Sequence, residues 1–250
     1  MSEITESPRK KRTPAAPLTR HYNEENPYEL CIDEAGRGCL FGRVYIACVV
    51  LPKDPDAFDG KNIKDSKKFS SKKKLNEVAE YIKQHALAWQ VAFVEADVID
   101  EINILRAVMH GMHECIRIVM QKLEQKVTSP SGVSMNQCMA VVDGNYFTPY
   151  RAFDKSDETI HEMQHITIEQ GDAKYMGIAA ASILAKTGRD EYVLELCKQY
   201  PILADRYGMD TNMGYGTKKH LDSIREHGIT QWHRRTFGEA CKNAPLSIIE

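Results

Sequence analysis

Two acidic residues stand side by side at Asp33 and Glu34. They close the apolar stretch Leu30-Cys31-Ile32 and directly precede Ala35 and the glycine-flanked Gly36-Arg37-Gly38. A third acid, Asp143, ends the apolar run Met139-Ala140-Val141-Val142, and a fourth, Asp172, follows Gly171 just ahead of a helical stretch. An acid after a strand is commonly a turn former or a helix cap. Adjacent acids at a buried strand end are poor structural choices, because like charges brought together raise each other's pKa. The usual compensation is a divalent cation. Oxygen-only ligands with no histidine or cysteine cluster favour Mg2+ or Mn2+ over zinc. Two such ions roughly 4 Å apart form a phosphoryl-transfer clamp, one activating the attacking water and the other stabilising the leaving oxygen. Side chains alternate along a strand, so Asp33 and Glu34 point the same way only if the strand ends or bends there. The glycine turn is expected to supply that bend.

The elements that must position these acids are legible as apolar patterns. Residues 28–51 read as two strands around the glycine turn, with Val44–Val50 β-branched and apolar enough for a central strand. Between Lys61 and Lys74 lie seven lysines and one acid, Asp65. This loop leads into a helix with Leu75, Val78, Ala79 and Ile82 at helical spacing, and 89–95 reads as a strand. Val98, Ile102, Leu105, Met109, Met112, Ile116, Val119 and Leu123 recur by fours and threes, which predicts one long helix capped by Asp97. Its methionines read as core. A Ser/Gly/Asn loop over 126–137, strands at 139–142 and 166–168 and an alanine-rich helix from Tyr175 to about Gln199 follow. The last fifty residues read as one or two further helices. The order predicts a mixed α/β fold: a five-stranded mixed sheet with helices on both faces.

The 250 residues suffice for one to two domains with a large core. Lys plus Arg number 33 against 35 Asp plus Glu, a formal charge of −2. A globally basic coat is excluded, so any nucleic-acid surface must be local. The lysine-rich loop is one such patch. Residues 206–242, with seven basic residues against four acids, are a second. Apolar content of 42% and charged content of 27% exclude wholesale disorder. No apolar run reaches the roughly 18 residues of a membrane span, and the polar start carries no apolar signal core. Seven cysteines, none in C-x-x-C pairs, suit reduced thiols inside a cell. The expected location is cytoplasmic. Residues 1–25, with prolines and the run Arg9-Lys10-Lys11-Arg12, read as a flexible basic tail: a solubilising arm, or a phosphate-binding or nuclear-targeting one.

Asp33-Glu34-Ala35-Gly36-Arg37-Gly38 resembles the D-E-A-G-R-G signature of type 2 ribonuclease H, ribonuclease HII. Lys64-Asp65-Ser66-Lys67-Lys68 resembles that family's D-S-K loop, and Asp143-Gly144 falls where its third acid is expected. Gly171-Asp172-Ala173-Lys174, with Ala179–Lys186 and Arg189-Asp190, resembles its fourth acid and following helix. Gly214-Tyr215-Gly216-Thr217 with His220 looks like its G-Y-x-T-x-x-H segment, and His233-Arg234-Arg235-Thr236-Phe237 like its H-R-x-S-F ending. The matches run in order from about residue 30 to 237.

The resemblance implies a ribonuclease H-like fold over 26–200 and a small helical, substrate-binding C-terminal extension over 201–250. It implies an endoribonuclease that uses two Mg2+ or Mn2+ ions and acts as a monomer without a membrane. Its substrates would be RNA in RNA–DNA hybrids and single ribonucleotides in duplex DNA, cut on the 5′ side to leave 3′-OH and 5′-phosphate. Asp33, Glu34, Asp143 and Asp172 match the metal-binding tetrad, with Asp33 bridging both ions. Gly36, Arg37 and Gly38 match the turn that reads the 2′-OH and its flanking phosphates. Tyr215 matches the tyrosine that contacts that hydroxyl, and Lys67, Ser182 and Lys186 match positions near the substrate backbone. Cys39, Phe41 and Arg43 depart from the family's usual residues; they are expected to sit beside the site, where they can alter its rim, and to touch no proposed ligand. The longer gap between Asp143 and Asp172 predicts an inserted loop over 146–162. Arg37, Tyr215 and the lack of an N-terminal platform domain speak against the type 3 relative. A non-catalytic hybrid-binding protein of the same fold is the alternative. The absence of G-x-x-x-x-G-K-S/T argues against a P-loop phosphotransferase.

Overall fold

The computed structural model describes residues 17–127, 132–154 and 158–249. The chain begins its sheet with β1 (Tyr28–Ala35) and β2 (Val44–Val50), then α1 (Lys72–His85), β3 (Ala88–Val94), α2 (Ala96–Ile102) and α3 (Ile104–Lys126). Next come β4 (Cys138–Asp143), a small hairpin of β5 (Arg151–Asp154) and β6 (Thr159–Glu162), β7 (Gln164–Ile168) and the long α4 (Met176–Gln199). Four short helices finish it: α5 (Ile202–Tyr207), α6 (Met209–Asn212), α7 (Lys218–His227) and α8 (Gly238–Lys242).

The main sheet has the order β3-β2-β1-β4-β7. β1 pairs antiparallel with β2 and parallel with β4, and β4 pairs parallel with β7. Every residue of β2 is buried, which explains its unbroken apolar run. Ile46, Cys48 and Val50 face α3, meeting Val108, Met112, Cys115, Ile116 and Val119. Tyr45, Ala47 and Val49 face α1 and the Ala179–Ala181 stretch of α4. The alanines let α4 lie close against the sheet, burying the middle of the helix on nearly all sides. The predicted five-stranded mixed sheet with helices on both faces is therefore present. No helix among the described residues is long and apolar enough to cross a membrane.

Several expectations are corrected. The single helix over 98–123 is two. Asn103 adopts a left-handed φ of 68°, ends α2, and caps α3 by accepting the Arg106 N–H at 3.1 Å. Asparagine tolerates that conformation and is a strong N-cap, so the break leaves the apolar spacing unchanged. Asp97 does not cap the helix: the N-cap position is Glu95, and Leu105 of the expected stripe is exposed. The inserted stretch 146–162 is not a plain loop, since β5 and β6 pair antiparallel within it. The last fifty residues hold four short helices rather than one or two.

Of the expected tail, residues 1–16 lie outside the described residues, while Thr19 and Arg20 are held against the fold. Thr19 bridges to the start of α4, donating to the Lys174 carbonyl at 2.8 Å and accepting from the Met176 N–H at 2.9 Å. Arg20 donates to the carbonyls of Asp54 and Phe58. The basic run at 9–12 lies outside the described residues, as does part of the 126–137 loop. The C-terminal helices form a third apolar cluster with Val193 and Cys197 of α4 and with Phe41 from the glycine-turn segment.

Candidate active site

β1 and β4 carry the acids to one place. In the parallel pair Ile32 lies opposite Val142, so Asp33 and Asp143, one step on, are lateral neighbours at the strand ends. β1 continues regularly to Ala35, with Glu34 opposite Ile46. The expected bend at the pair is therefore absent, and alternation sends Asp33 and Glu34 to opposite faces. Asp33 is buried on the α4 side beside Ser182, and its carboxylate also accepts the Glu34 N–H at 2.7 Å. Glu34 reaches toward the turn, accepting from Arg37 at 3.3 Å. Asp143 Oδ1 accepts the Gly171 N–H at 2.6 Å, which ties the end of β4 to the 3-10 turn Gly171–Ala173 carrying Asp172. Lys67 closes the group, its Nζ lying 3.1 Å from Asp172 Oδ2.

The electrostatics follow from this crowding. Burial, then the charges of Asp143 and Glu34, push the Asp33 carboxyl well above the usual carboxylate range, and the Ser182 hydroxyl opposes the shift only in part. Burial raises Glu34 as well, against the pull of Arg37. Burial and Asp172 raise Asp143, against the Gly171 amide. Burial works against the charge on Lys67, but its hydrogen bond to Asp172 and the charges of Asp172, Asp65 and Asp33 outweigh that and keep it protonated.

Among the described residues no three Asp, Glu, His or Cys side chains stand ready-made as a metal cage. Asp172 is instead paired with the Lys67 ammonium. The donor set nevertheless suits a hard divalent cation: it is carboxylate oxygen throughout and carries excess negative charge. Lys67 is a cation already drawn to the place.

The glycine turn sits beside these acids. Gly36 has φ 87°, which only glycine adopts freely, and a Cβ there would lie 3.2 Å from the Arg43 carbonyl. Arg37 and Gly38 are exposed. Across from the turn Tyr215 is 45% exposed, its ring 5.3 Å from the Arg189 guanidinium. Arg189 in turn bonds Asp190, which also takes Lys186 at 2.9 Å. The structure thus brings Asp33, Asp143, Asp172, Lys67 and Ser182 to one strand end, with Glu34 on the other face of β1 reaching the Gly36–Gly38 turn and Tyr215 adjoining that turn. Lys186 belongs to the Arg189–Asp190 network instead. Ser182 is 6% exposed and bonds Ser66 at 3.2 Å, so it anchors the lysine loop and Asp33 rather than facing outward.

The three departures do not form a rim. Cys39 and Phe41 are buried under the turn, and Arg43 stacks between Phe93 and Tyr192 while pairing with Glu95 at 2.6 Å. The basic patch over 206–242 is also less free than its composition suggests. Arg234 is buried, Lys218 and Arg225 share Asp222, and Lys242 meets Glu239. Sequence reasoning assigned no role to Ser66, Arg189 or Asp190. Their signal was polar residues inside otherwise apolar or motif-bearing runs, which burial turns into obligatory partners.

Carboxylates at the ends of two parallel strands, with a third element closing over them and antiparallel strands on one side, make a site suited to a hard divalent cation. A sequence profile of the family described as Ribonuclease HII matches residues 30–240. The chain is 42% identical to the ribonuclease HII of Parabacteroides distasonis over 216 residues, 86% of this chain and 92% of that one. It is 40% identical to that of Nitrosomonas europaea, over 88% and 87% of the two chains. It therefore belongs to the ribonuclease HII family, and is a ribonuclease H enzyme. The fold matches the ribonuclease H2 of Pyrococcus horikoshii, with TM-score 0.56 and 22% identity over 86% of this chain and 95% of that one. It also matches the Bst-RNase HIII structure in complex with Mn2+, with TM-score 0.55 and 13% identity over 89% and 67% of the chains.

Proposed function

We propose that this chain hydrolyses RNA in RNA–DNA hybrids and cuts on the 5′ side of single ribonucleotides embedded in duplex DNA, leaving 3′-OH and 5′-phosphate. The observation that carries the reading is the juxtaposition of the four acids with the Gly36–Gly38 turn and Tyr215. One side of the site suits phosphate chemistry and the other suits reading a sugar. Asp33, Glu34, Asp143 and Asp172 would hold Mg2+ or Mn2+. Bound ions supply a water of lowered pKa and neutralise charge at the phosphate.

The chain's own groups orient the substrate. A lone ribonucleotide differs from DNA only in its 2′-OH. Gly36 and Gly38 let backbone approach that hydroxyl closely, and Tyr215 offers a hydroxyl and a flat face for the neighbouring sugar. The exposed Arg37 side chain, which bonds Glu34, can turn to a flanking phosphate. Lys67 balances the acids until substrate arrives, and Ser182 holds Asp33 in place. The enzyme acts as a monomer, within the cell.

The test is a DNA duplex carrying one ribonucleotide, incubated with the protein with and without Mg2+ or Mn2+. A single metal-dependent cut on the 5′ side is expected. Cutting of long hybrids but not of this substrate would overturn the roles of Tyr215 and the turn. Binding without any cutting would favour a non-catalytic hybrid-binding protein.

A further inference from the structure

Residues 232–234 run beneath the glycine turn. The Gly42 N–H donates to the Trp232 carbonyl and the Arg234 N–H to the Leu40 carbonyl, each at 2.8 Å. This short pairing leaves His233 and Arg234 pointing at two different neighbours. Arg234 is fully buried. Its Nε donates to the Gly42 carbonyl at 2.9 Å and its Nη1 to the Arg37 carbonyl at 3.0 Å, in the middle of the turn. No carboxylate among the described residues pairs with it, and its Nη2 has no partner. Burial draws its pKa down to about 10. A buried cation without a counter-ion is costly, and a simple stitch between two loops does not need one.

His233 leads the other way. Its Nδ1 accepts the Thr230 N–H at 2.9 Å, so its proton is on Nε2. That atom lies 3.0 Å from His220 Nε2, and His220 Nδ1 lies 2.9 Å from the Tyr215 carbonyl. A carbonyl only accepts, so His220 carries its proton on Nδ1 and accepts from His233 through Nε2. Each proton in the chain Thr230, His233, His220, Tyr215 is thereby fixed, with both rings neutral. Burial holds both histidines below their usual pKa, His233 at about 3. Gly214 completes the seat: its φ is 87°, its carbonyl accepts the Leu40 N–H at 2.8 Å, and a Cβ there would meet the Phe41 carbonyl at 2.8 Å.

We infer that His233 and Arg234 are positioning residues that set the distance between the glycine turn and Tyr215, and so the enzyme's selectivity for a ribonucleotide. Adjacent residues on one strand-like segment end on the backbone carbonyls of Arg37 and, through His220, of Tyr215. Both side chains are buried. The inference rests on the proposed reading of the 2′-OH by these two elements.

The experiment compares two quantities: kcat/KM for cutting at a lone ribonucleotide, and Kd for an all-DNA duplex. His220→Phe removes the donor to the Tyr215 carbonyl, His220→Asn restores one at nearly the same place, and Arg234→Lys keeps the charge but loses the fork. H220F and R234K should each lower kcat/KM by about tenfold, the size of one lost hydrogen bond, with DNA Kd unchanged within about twofold. H220N should recover most of the loss. In a Tyr215→Ala background H220F should cost nothing further, because the side chain it positions is gone. Unchanged kcat/KM, or equal losses in both quantities without rescue by H220N, would overturn the inference. Should H220F not fold, R234K decides alone: a loss of about tenfold in kcat/KM with DNA Kd unchanged supports the inference, and unchanged kcat/KM or equal losses overturn it. Failure of the wild type to cut beside a ribonucleotide is the separate result that overturns the function itself, and this inference with it.

Discussion

Asp143 is held beside Asp33 and Asp172 with its pKa raised, chiefly by burial. Such a carboxylate opposes folding at neutral pH and is worth its place only when a cation arrives. In EDTA at pH 7, Asp143→Asn should therefore be more stable than the wild type by about 1 kcal/mol, or roughly 2–4 °C in Tm, while cutting nothing. The amide oxygen can still accept the Gly171 N–H. Saturating Mn2+ should reverse the order, since an ion that binds the folded wild type stabilises it. A thermal melt in both conditions with a gel assay checks this, and a less stable variant in EDTA would refute it. Tyr215→Phe tests the opposite side of the site. It should slow cutting at a lone ribonucleotide by about tenfold while DNA affinity stays within about twofold. Equal losses would mean that the phenol does not meet the 2′-OH.

The loop bearing Ser66–Lys68 is fastened at Ser182 and extends Lys67 over Asp172. An ammonium there contends with an incoming divalent ion. Lys67→Ala should tighten Mn2+ binding without substrate by about fivefold, the scale of a surface ion pair. Calorimetric titration measures it, and weaker binding would show that the lysine does not compete. Elements of this kind differ in how far the chain's pattern reveals them. The sheet was legible because β2 and β4 are apolar runs too short for helices, each closed by a turn. The acids were legible because charge at the end of such a run is conspicuous. The division of α2 from α3 was not, because Asn103 interrupts the backbone without disturbing the three-and-four spacing. The β5–β6 hairpin was hidden because it pairs with itself and most of its residues are exposed, so no alternation is imposed. The Ser182 contact and the seat under the turn were hidden for another reason. They join residues far apart in the chain, such as Arg37 and Arg234, and nothing local distinguishes a buried arginine from a surface one.

The molecule as a whole carries titrations of opposite sign. His233 folds with a pKa of about 3 against about 6.5 when unfolded, so the unfolded chain takes up a proton that the folded one refuses. Stability from this group is present above about pH 6.5 and falls as pH drops toward 3, at about 1.4 kcal/mol per unit. Asp33, Glu34 and Asp143 act in the other direction: their folded pKa values are raised, so their contribution is present at low pH and is lost as pH rises. Comparison with His233→Asn separates the two. Between pH 7 and pH 5 the wild type should lose about 2 kcal/mol more than the variant in urea unfolding, and parallel curves would show that the pair is not buried neutral. The seven cysteines allow such transitions to be followed region by region. All are free and buried. Cys48, Cys115 and Cys138 lie in the core between sheet and α3, Cys31 under α4, and Cys197 and Cys241 among the C-terminal helices. A thiol reagent added to the native protein meets a silent surface, and each alkylation marks an opening event. Peptide mapping after timed pulses would then separate detachment of the C-terminal layer from rupture of the sheet, with no probe introduced into the chain.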